Sequence, residues 1–273
     1  MSGKQLRLKR ILSPAKCRTV IFPLDHGVTC GPIPGIERIE TTIEAGIRGG
    51  ADAIVLHKGN LRCLHSVKER LPGVIAHLSA STCLGPAPYR KVPTGGVEEA
   101  IRLGADAVSV HLNLGNAYES EMLRDVGRVG QECTEWQVPL LIMAYVSRDA
   151  TGPAASGTDV AHAARIAAEL GADIVKIPFP GDYDTVARIA SVVSVPVVIA
   201  GGSPAGIDLL LERVERSIQA GAAGVAAGRS IFQAKNPEAV LRAVTGIVHR
   251  GMHADEAGEL LKAERETWTG KTL

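Results

Sequence analysis

The sequence is poor in the features that mark a nucleic-acid-binding or membrane protein. Aromatic residues make up 3% of the 273 residues, and 30 lysines and arginines are balanced by 29 acidic residues. No basic block interleaved with aromatics occurs, and no apolar run reaches the roughly 18 residues that a membrane-spanning helix needs. These absences predict a protein that works on a small molecule, with no nucleic-acid and no membrane partner.

Paired cysteines are also missing. The five cysteines form an odd set without a CxxC spacing, and the first residues, MSGKQLRLKRIL, lack the apolar run of a secretion signal. We therefore expect reduced thiols and a cytoplasmic protein. No linker or change of composition divides residues 1–273, so we expect one domain, with 1–17 as an N-terminal arm and 252–273 as a C-terminal helix and frayed tail.

What the chain does contain is a repeat. GGADAIVLHKG at 49, LGADAVSVHLN at 103, LGADIVKIPFP at 170 and AGAAGVAAGRS at 220 each combine a helix end, a glycine stop and a run typical of a buried parallel strand. Further strand candidates start at 18, 73, 139 and 194, which makes eight, and helical patterns separate them. This alternation predicts an α/β fold, the (β/α)8 TIM barrel. The rival, a doubly wound open sheet, is disfavoured because no GxGxxG follows the first strand.

In such a barrel the active site lies at the C-terminal ends of the strands. The candidate residues at those ends are Asp25, His26, His57, Lys58, His77, His111, Tyr145, Lys176, Gly201, Gly202, Gly228 and Arg229.

Lys176 lies in the middle of GADIVKIPFPG, a run that otherwise reads as a buried strand. An unpaired ammonium out of water is costly, so such a lysine either pairs with an acid on a neighbouring strand or is used chemically. Burial disfavours the charged form of an amine, and neutral amine can attack a carbonyl to form an imine. We expect the chemical use. The competing lysine, Lys58, precedes a glycine where a strand becomes a loop, which suits a solvated side chain or one that binds phosphate.

Tyr145 and Asp25 each allow two interpretations. Tyr145 ends the strand next to that of Lys176, where it is either a core aromatic or a proton carrier beside an imine. Asp25, in PLDHG, either caps the following loop or holds the lysine ammonium and helps to form and break the carbinolamine. We expect the chemical role for both.

The histidines at the ends of the first four strands could bind a metal ion. Three imidazoles suffice for Zn²⁺ in a metal-dependent aldolase. No HxxH or HxH pairing concentrates the ligands in this sequence, however, and an imine makes a metal redundant. We therefore expect four separately hydrogen-bonded histidines and no metal.

Two glycine-rich segments, VVIAGGSPAG and GVAAGRSIFQ, follow the last two strands. Backbone N–H groups at such loops, together with a helix dipole, accommodate an anion. Barrels commonly hold a phosphate after strands seven and eight, and Arg229 adds a fork of donors. The pair of loops predicts a phosphate site.

Several of these segments resemble one family. IFPLDHGVTCGPIPGI, MAYVSRD, GADIVKIPF, IAGG and GVAAGRSIFQ, in this order between 21 and 233, are similar to the archaeal-type class I (DeoC/FbaB-like) aldolases. The resemblance implies a TIM barrel, a Schiff-base lysine at Lys176, a proton-transferring tyrosine at Tyr145 and an acid/base aspartate at Asp25. It implies phosphate binding by Gly201, Gly202, Gly228 and Arg229. It also implies a homo-oligomer, in this family often a decamer of two pentamers.

The segments FPLDHGV and LHKG are similar to the branch of synthases that use aspartate semialdehyde as acceptor, and from them we add His26, Gly27 and Lys58 as substrate-binding residues. One departure concerns the segment Tyr-Pro-Arg-Gly of much of the family. Here Tyr145 is followed by Val146, Ser147 and Arg148, which displaces the arginine by one position.

We predict a Schiff-base aldolase, without metal or organic cofactor, that joins a phosphorylated ketose such as dihydroxyacetone phosphate to L-aspartate 4-semialdehyde. Two related alternatives are a class I fructose-bisphosphate aldolase and a transaldolase-type aminoheptulosonate synthase. Two from other classes are a phosphosugar isomerase and a non-catalytic phosphosugar sensor.

Overall fold

The computed structural model describes residues 2–147, 154–202 and 206–269, with side chains up to 263. Its strands are β1 (Thr19–Pro23), β2 (Ala53–His57), β3 (Gly73–His77), β4 (Ser79–Ala80), β5 (Val92–Pro93), β6 (Ala107–Leu114), β7 (Leu140–Val146), β8 (Ile174–Ile177), β9 (Val197–Ala200) and β10 (Gly224–Ala226). All but β4 and β5 form a closed parallel barrel in chain order, and β10 pairs back onto β1. The predicted (β/α)8 barrel is thereby confirmed. β4 and β5 form a small antiparallel hairpin on the segment between β3 and β6.

Helices separate the barrel strands. They are α1 (Gly3–Leu8), α2 (His26–Cys30), α3 (Ile39–Arg48), α4 (Lys58–Leu61), α5 (Val97–Arg102), α6 (Glu119–Glu135), α7 (Gly157–Glu169), α8 (Tyr183–Val192), α9 (Ile207–Gln219), α10 (Arg229–Phe232), α11 (Pro237–Thr245) and α12 (Ala254–Thr269), with a 3-10 helix at Arg62–Ser66 and a π-helical turn at Gly246–Arg250. The C-terminal helix is present as α12, which packs on α9. None of the helices described is long and apolar enough to cross a membrane.

α7 shows how the sequence determines where a helix begins, which face it buries and where it ends. Ser156 and Asp159 form a reciprocal capping box that satisfies free N–H groups at the helix start. Val160, with apolar residues spaced three and four positions further along, forms the buried face. Gly171 then takes φ +97°, a left-handed conformation that glycine adopts at little cost, and this ends the helix. The same glycine stop recurs before the other repeated strands.

Side chains alternate between two environments along each barrel strand. In β8, Ile174 packs in the barrel interior with apolar residues of the other strands, whereas Val175 and Ile177 pack in the core between strands and helices. Lys176 shares the interior parity of Ile174. The period of two therefore turns this lysine towards the centre of the barrel.

The repeated Gly-Ala-Asp segments have a structural role at the base, the N-terminal end of the strands. The aspartates are Asp52, Asp106 and Asp173, and their carboxylates accept hydrogen bonds from the backbone N–H of Val20 at 2.6 Å, Val74 at 2.9 Å and Leu140 at 2.9 Å. Each aspartate N–H also donates to the carbonyl of that same partner. In the fourth repeat the aspartate is replaced by Ala223, whose N–H donates to Val197 without the side-chain bond.

The N-terminal arm closes the base of the barrel. Ile11 is 1% exposed and belongs to the apolar cluster of the barrel interior. Two ion pairs tie the same arm to repeat aspartates, Lys4 to Asp173 at 3.0 Å and Arg10 to Asp106 at 2.9 Å.

We propose that the arm and the barrel fold as one domain, so that Ile11→Ala destabilises the whole protein. Loss of this fully buried side chain leaves a cavity, and we expect about 2–5 kcal/mol less free energy of unfolding. The measurement is denaturant unfolding followed by circular dichroism, with Leu6→Ala as control because Leu6 is 56% exposed. A separate early transition of the arm, or equal effects of the two substitutions, would contradict the proposal.

Candidate active site

A cavity of about 330 Å³ opens at the mouth of the barrel, the C-terminal end of the strands. It brings together residues from β7, β8 and the segments after β1, β9 and β10. The lining residues are His26, Tyr145, Lys176, Pro178, Phe179, Ala200, Gly201, Gly202, Arg213, Ala226, Gly228 and Arg229. The predicted lysine, tyrosine and phosphate loops therefore share one cavity.

Lys176 lies at the inner wall of this cavity and is 7% exposed. In the sheet it is paired with Met143 on one side and Val198 on the other. Its Nζ lies 4.0 Å from the Met143 sulfur, and no carboxylate of the described residues comes within 4.0 Å of it. Among the described residues, no acid on a neighbouring strand pairs with Lys176, so that alternative does not apply.

Asp25 is also buried, at 8% exposure, and faces imidazoles. Its carboxylate oxygens lie 3.7 Å from His26 Nδ1 and 3.8 Å from His77 Nε2. Asp25 stands at the N-cap position of α2, but its side chain makes no capping hydrogen bond, so the capping role considered above does not apply. A buried carboxylate that is not used as a cap is available for chemistry at the mouth.

Opposing effects act on the ionisation of Asp25. Burial alone raises the pKa of this carboxyl, but the positive charges of His77, His26 and Lys176 outweigh it and hold the pKa below its usual range. Burial lowers the pKa of His77 to about 3 and that of His111 well below its ordinary value. The imidazoles of His77 and His111 are therefore neutral near pH 7, and Asp25 is ionised there.

Three of the four strand-end histidines form one connected row. His77 Nε2 lies 3.1 Å from His111 Nδ1, and its Nδ1 lies 2.8 Å from the hydroxyl of Ser109. The His57 ring packs edge-on against His77, and the His111 ring lies 5.7 Å from that of Tyr145. The expectation of four separately hydrogen-bonded histidines was wrong for this row. Histidines at the same height on adjacent strands lie side by side in the barrel, although they are far apart in the sequence and form no local motif.

Asp25, His77 and His111 place one potential ligand atom each within 4.8 Å of the others, so they could hold a metal ion. Two neutral imidazoles and a carboxylate suit the chemistry of Zn²⁺. His77 Nε2 and His111 Nδ1 already share a hydrogen bond, so these two imidazoles are also held without an ion. The geometry gives the metal alternative more support than the sequence did.

The loops after β9 and β10 are closely packed around their glycines. A Cβ on Gly228 would lie 2.6 Å from His26 Cε1 and 2.9 Å from the Pro23 carbonyl, and Gly202 has φ +74°. Glycine at these positions lets the backbone approach a ligand. Arg229, which begins α10, lines the same wall of the cavity. This arrangement suits an anionic group.

Sequence reasoning missed Arg213, a second arginine on this wall. It belongs to α9, and its guanidinium lies 5.0 Å over the ring of Phe179. A cation held on an aromatic face beside Gly202 adds positive charge to the glycine wall. No sequence signal marks it, because an arginine in an amphipathic helix normally faces water.

Some predicted residues lie elsewhere. Lys58 begins α4 and pairs with Glu99 at 3.0 Å, outside the cavity lining, so the structure does not bring it to the site as expected. Gly27 is exposed on α2 and does not line the cavity either. His26 does line it. Arg148 falls outside the described residues. The other lysine close to this site is Lys91, whose charge acts on His26, His57, His77 and His111.

Comparisons with known proteins agree on one relationship. Residues 19–234 match the family described as DeoC/LacD family aldolase. The chain is 42% identical to 2-amino-3,7-dideoxy-D-threo-hept-6-ulosonate synthase 1 of Archaeoglobus fulgidus, over 95% of this chain and 96% of that protein. It is 39% identical to 2-amino-4,5-dihydroxy-6-oxo-7-(phosphonooxy)heptanoate synthase of Streptomyces griseus, over 90% of each.

Two solved aldolase structures superpose on this chain over most of its length. A Schiff-base-forming fructose-1,6-bisphosphate aldolase superposes with a TM-score of 0.82 at 28% identity, covering 90% of this chain and 100% of that one. An archaeal fructose-1,6-bisphosphate aldolase, whose catalytic lysine is covalently bound to the carbinolamine of its substrate, superposes with a TM-score of 0.81 at 28% identity, covering 90% and 99%.

Because His77 and His111 share a hydrogen bond without an ion, we expect removal of metal to leave the protein intact. Dialysis against EDTA should not change the thermal midpoint, and elemental analysis before dialysis should find no stoichiometric transition metal. His77→Gln, which removes one imidazole of the cluster, is the control for how much the thermal midpoint changes when the cluster itself is altered. Stoichiometric zinc, with a midpoint that falls on chelation and recovers on zinc addition, would establish the metal alternative.

Proposed function

Because the chain belongs to the DeoC/LacD aldolase family, we propose that its cavity performs a class I aldol addition through an imine on Lys176. The observation that supports this most directly is the buried Lys176, with no described carboxylate within 4.0 Å, beside a glycine and arginine wall fit for phosphate. Such a wall would hold the phosphate of a ketose donor and direct its carbonyl at the amine.

In the first stage the neutral Lys176 amine attacks the donor ketone and forms a carbinolamine. Loss of water then gives an iminium, and Asp25 assists by moving a proton to and from the departing oxygen. The low pKa of Asp25 keeps it ionised, as a base must be at the start of this step. Its charge also stabilises the iminium once formed.

In the second stage the iminium draws electrons from the adjacent carbon, which loses a proton and becomes an enamine. We assign this proton to Tyr145, which ends β7 beside β8 and lines the cavity. The enamine carbon then attacks the acceptor aldehyde, forming the new C–C bond and an alkoxide that takes up a proton. Water hydrolyses the product imine and returns the free amine. The chain's own residues supply every group in this sequence, so we propose that it needs no metal or organic cofactor.

For the acceptor we propose L-aspartate 4-semialdehyde, with dihydroxyacetone phosphate as donor. The names of the two relatives describe seven-carbon products that carry an amine at C2. Reversing an aldol reaction across C4–C5 gives the skeleton of aspartate semialdehyde from either product. The other half is dihydroxyacetone phosphate for the Streptomyces griseus product and hydroxyacetone, which has no phosphonooxy group, for the Archaeoglobus fulgidus product. The acceptor is thus the shared half, and a transaldolase-type donor remains the second candidate.

We further propose that the chain works as a cytoplasmic homo-oligomer. Nine large apolar side chains of the described residues are exposed in the single chain, among them Leu84 at 98% and Trp136 at 47%, and such residues gain from burial against another copy.

The imine predicts a covalent trap. Incubation with dihydroxyacetone phosphate and borohydride should add one reduced donor per chain, and peptide mapping should place it on Lys176, because only an imine is reduced to a stable amine. Lys176→Met should abolish the adduct. Labelling of another lysine, or turnover without any adduct, would refute the assignment.

Tyr145→Phe should separate imine formation from proton transfer. Without the phenol we expect donor trapping to persist while product formation falls by about 10²-fold or more. Tyr118→Phe is the matched control, since Tyr118 lies at the start of α6 against Arg90 and outside the cavity lining. Wild-type turnover in Tyr145→Phe would make this tyrosine a packing residue.

A further inference from the structure

Lys91 is a second lysine at the mouth of the barrel, on the side of the hairpin. It immediately precedes β5, and its Nζ donates to the hydroxyls of Ser81 at 2.6 Å and Thr29 at 3.4 Å. These hydroxyls belong to the segments after β4 and β1. Lys91 therefore links α2 to the segment after β4, beside Ser79 and His111, next to the cavity although it is not part of its lining.

The charge of Lys91 lacks an acidic partner. No carboxylate of the described residues lies within 4.0 Å of its Nζ, although the side chain is half-buried. Burial lowers its pKa, whereas the charge of Asp25 raises it. An ammonium that is withdrawn from water and held only by hydroxyls is prepared for an anion supplied from outside.

The neighbouring cations are not available for this purpose. Lys58 pairs with Glu99 at 3.0 Å. Arg90 pairs with Glu121 at 3.0 Å and lies over the ring of Tyr118. Of these three basic side chains near the hairpin, Lys91 is the one without an acidic partner within the described ranges, so this side of the site offers a single positive charge and the hydroxyl of Thr29.

We infer that Lys91, with the hydroxyl of Thr29, binds the carboxylate of the acceptor aldehyde, an inference that rests on the proposed aldol function. Ser81, whose hydroxyl donates to the Pro88 carbonyl, holds the Lys91 ammonium in place. The glycine and arginine wall takes the donor phosphate, so the acceptor enters from the Lys91 side. One ammonium neutralises the single charge of a carboxylate, whereas a second phosphate would carry about two charges and calls for more than one cation. The site therefore favours a carboxylate acceptor over a phosphorylated one.

The experiment uses the whole protein with dihydroxyacetone phosphate as donor and four acceptors. These are L-aspartate 4-semialdehyde, 4-oxobutanoate, which lacks the amine, 3-aminopropanal, which lacks the carboxylate, and glyceraldehyde 3-phosphate. Wild type should prefer aspartate semialdehyde to glyceraldehyde 3-phosphate by at least about tenfold in kcat/KM. Lys91→Met should lower kcat/KM for the two carboxylate acceptors by about 10- to 100-fold, mainly through KM, and leave 3-aminopropanal little changed.

Lys91→Arg, which keeps the charge, should retain most of the selectivity. Lys68→Met, in an exposed lysine before β3 at the base, is the control. An equal loss with 3-aminopropanal, no loss at all, or a wild-type preference for glyceraldehyde 3-phosphate would overturn the inference.

Borohydride trapping of the donor, run on the same variants, separates this inference from the proposed function. Normal trapping in Lys91→Met shows that the fold and the imine are intact, so the acceptor kinetics then bear on Lys91 alone. Absence of trapping in the wild type would instead overturn the imine mechanism, and the acceptor assignment with it.

Discussion

The alternation of side chains along strands that close into a barrel is the constraint on which this protein depends. Every second residue must point inward, and the interior is too narrow to leave unfilled. Apart from Thr19 at the start of β1, the inward positions are apolar in the lower layers and become polar in the last layer before the mouth. The pairs that show this change along one strand are Val55 and His57, Ile75 and His77, Met143 and Tyr145, and Ile174 and Lys176. The chemistry occupies the top layer of the same stack that forms the core.

This polar layer lies directly on apolar layers of the barrel interior, and the resulting burial shifts the pKa values of its side chains. Burial lowers the pKa of His77 and His111, so these imidazoles are neutral near pH 7, while the pKa of Asp25 is held low and its carboxylate stays ionised. One carboxylate thus lies within 3.8 Å of the His77 imidazole in a layer of otherwise neutral strand-end rings. An imine suits this environment, since the ionised Asp25 offsets the positive charge of an iminium.

The period of two also explains which predictions from sequence succeeded. The barrel followed from the repeated glycine stops and strands, and the buried position of Lys176 at the cavity followed from its place inside an apolar run. Lys58 was misassigned although the same rule argued against it, because its neighbour His57 takes the inward position of β2. Lys91 and Arg213 could not be found in this way, since one lies beside a hairpin and the other on a helix, and their positions depend on how the closed chain brings loops together. To predict the row of histidines, one must know which strands pair and in which register, and the sequence alone does not give this.

The hydrogen bonds at the base of the barrel repeat with a fourfold pattern. Strand pairs β1–β2, β3–β6, β7–β8 and β9–β10 are each joined at their first residues by the same backbone bond, and in three of them an aspartate adds the reciprocal bond. The barrel is thus a fourfold array of one quarter-barrel unit. The quarter in which the repetition is broken, at Ala223, is the one that carries the glycine loops, so the units differ most beside the wall that we propose for the donor phosphate.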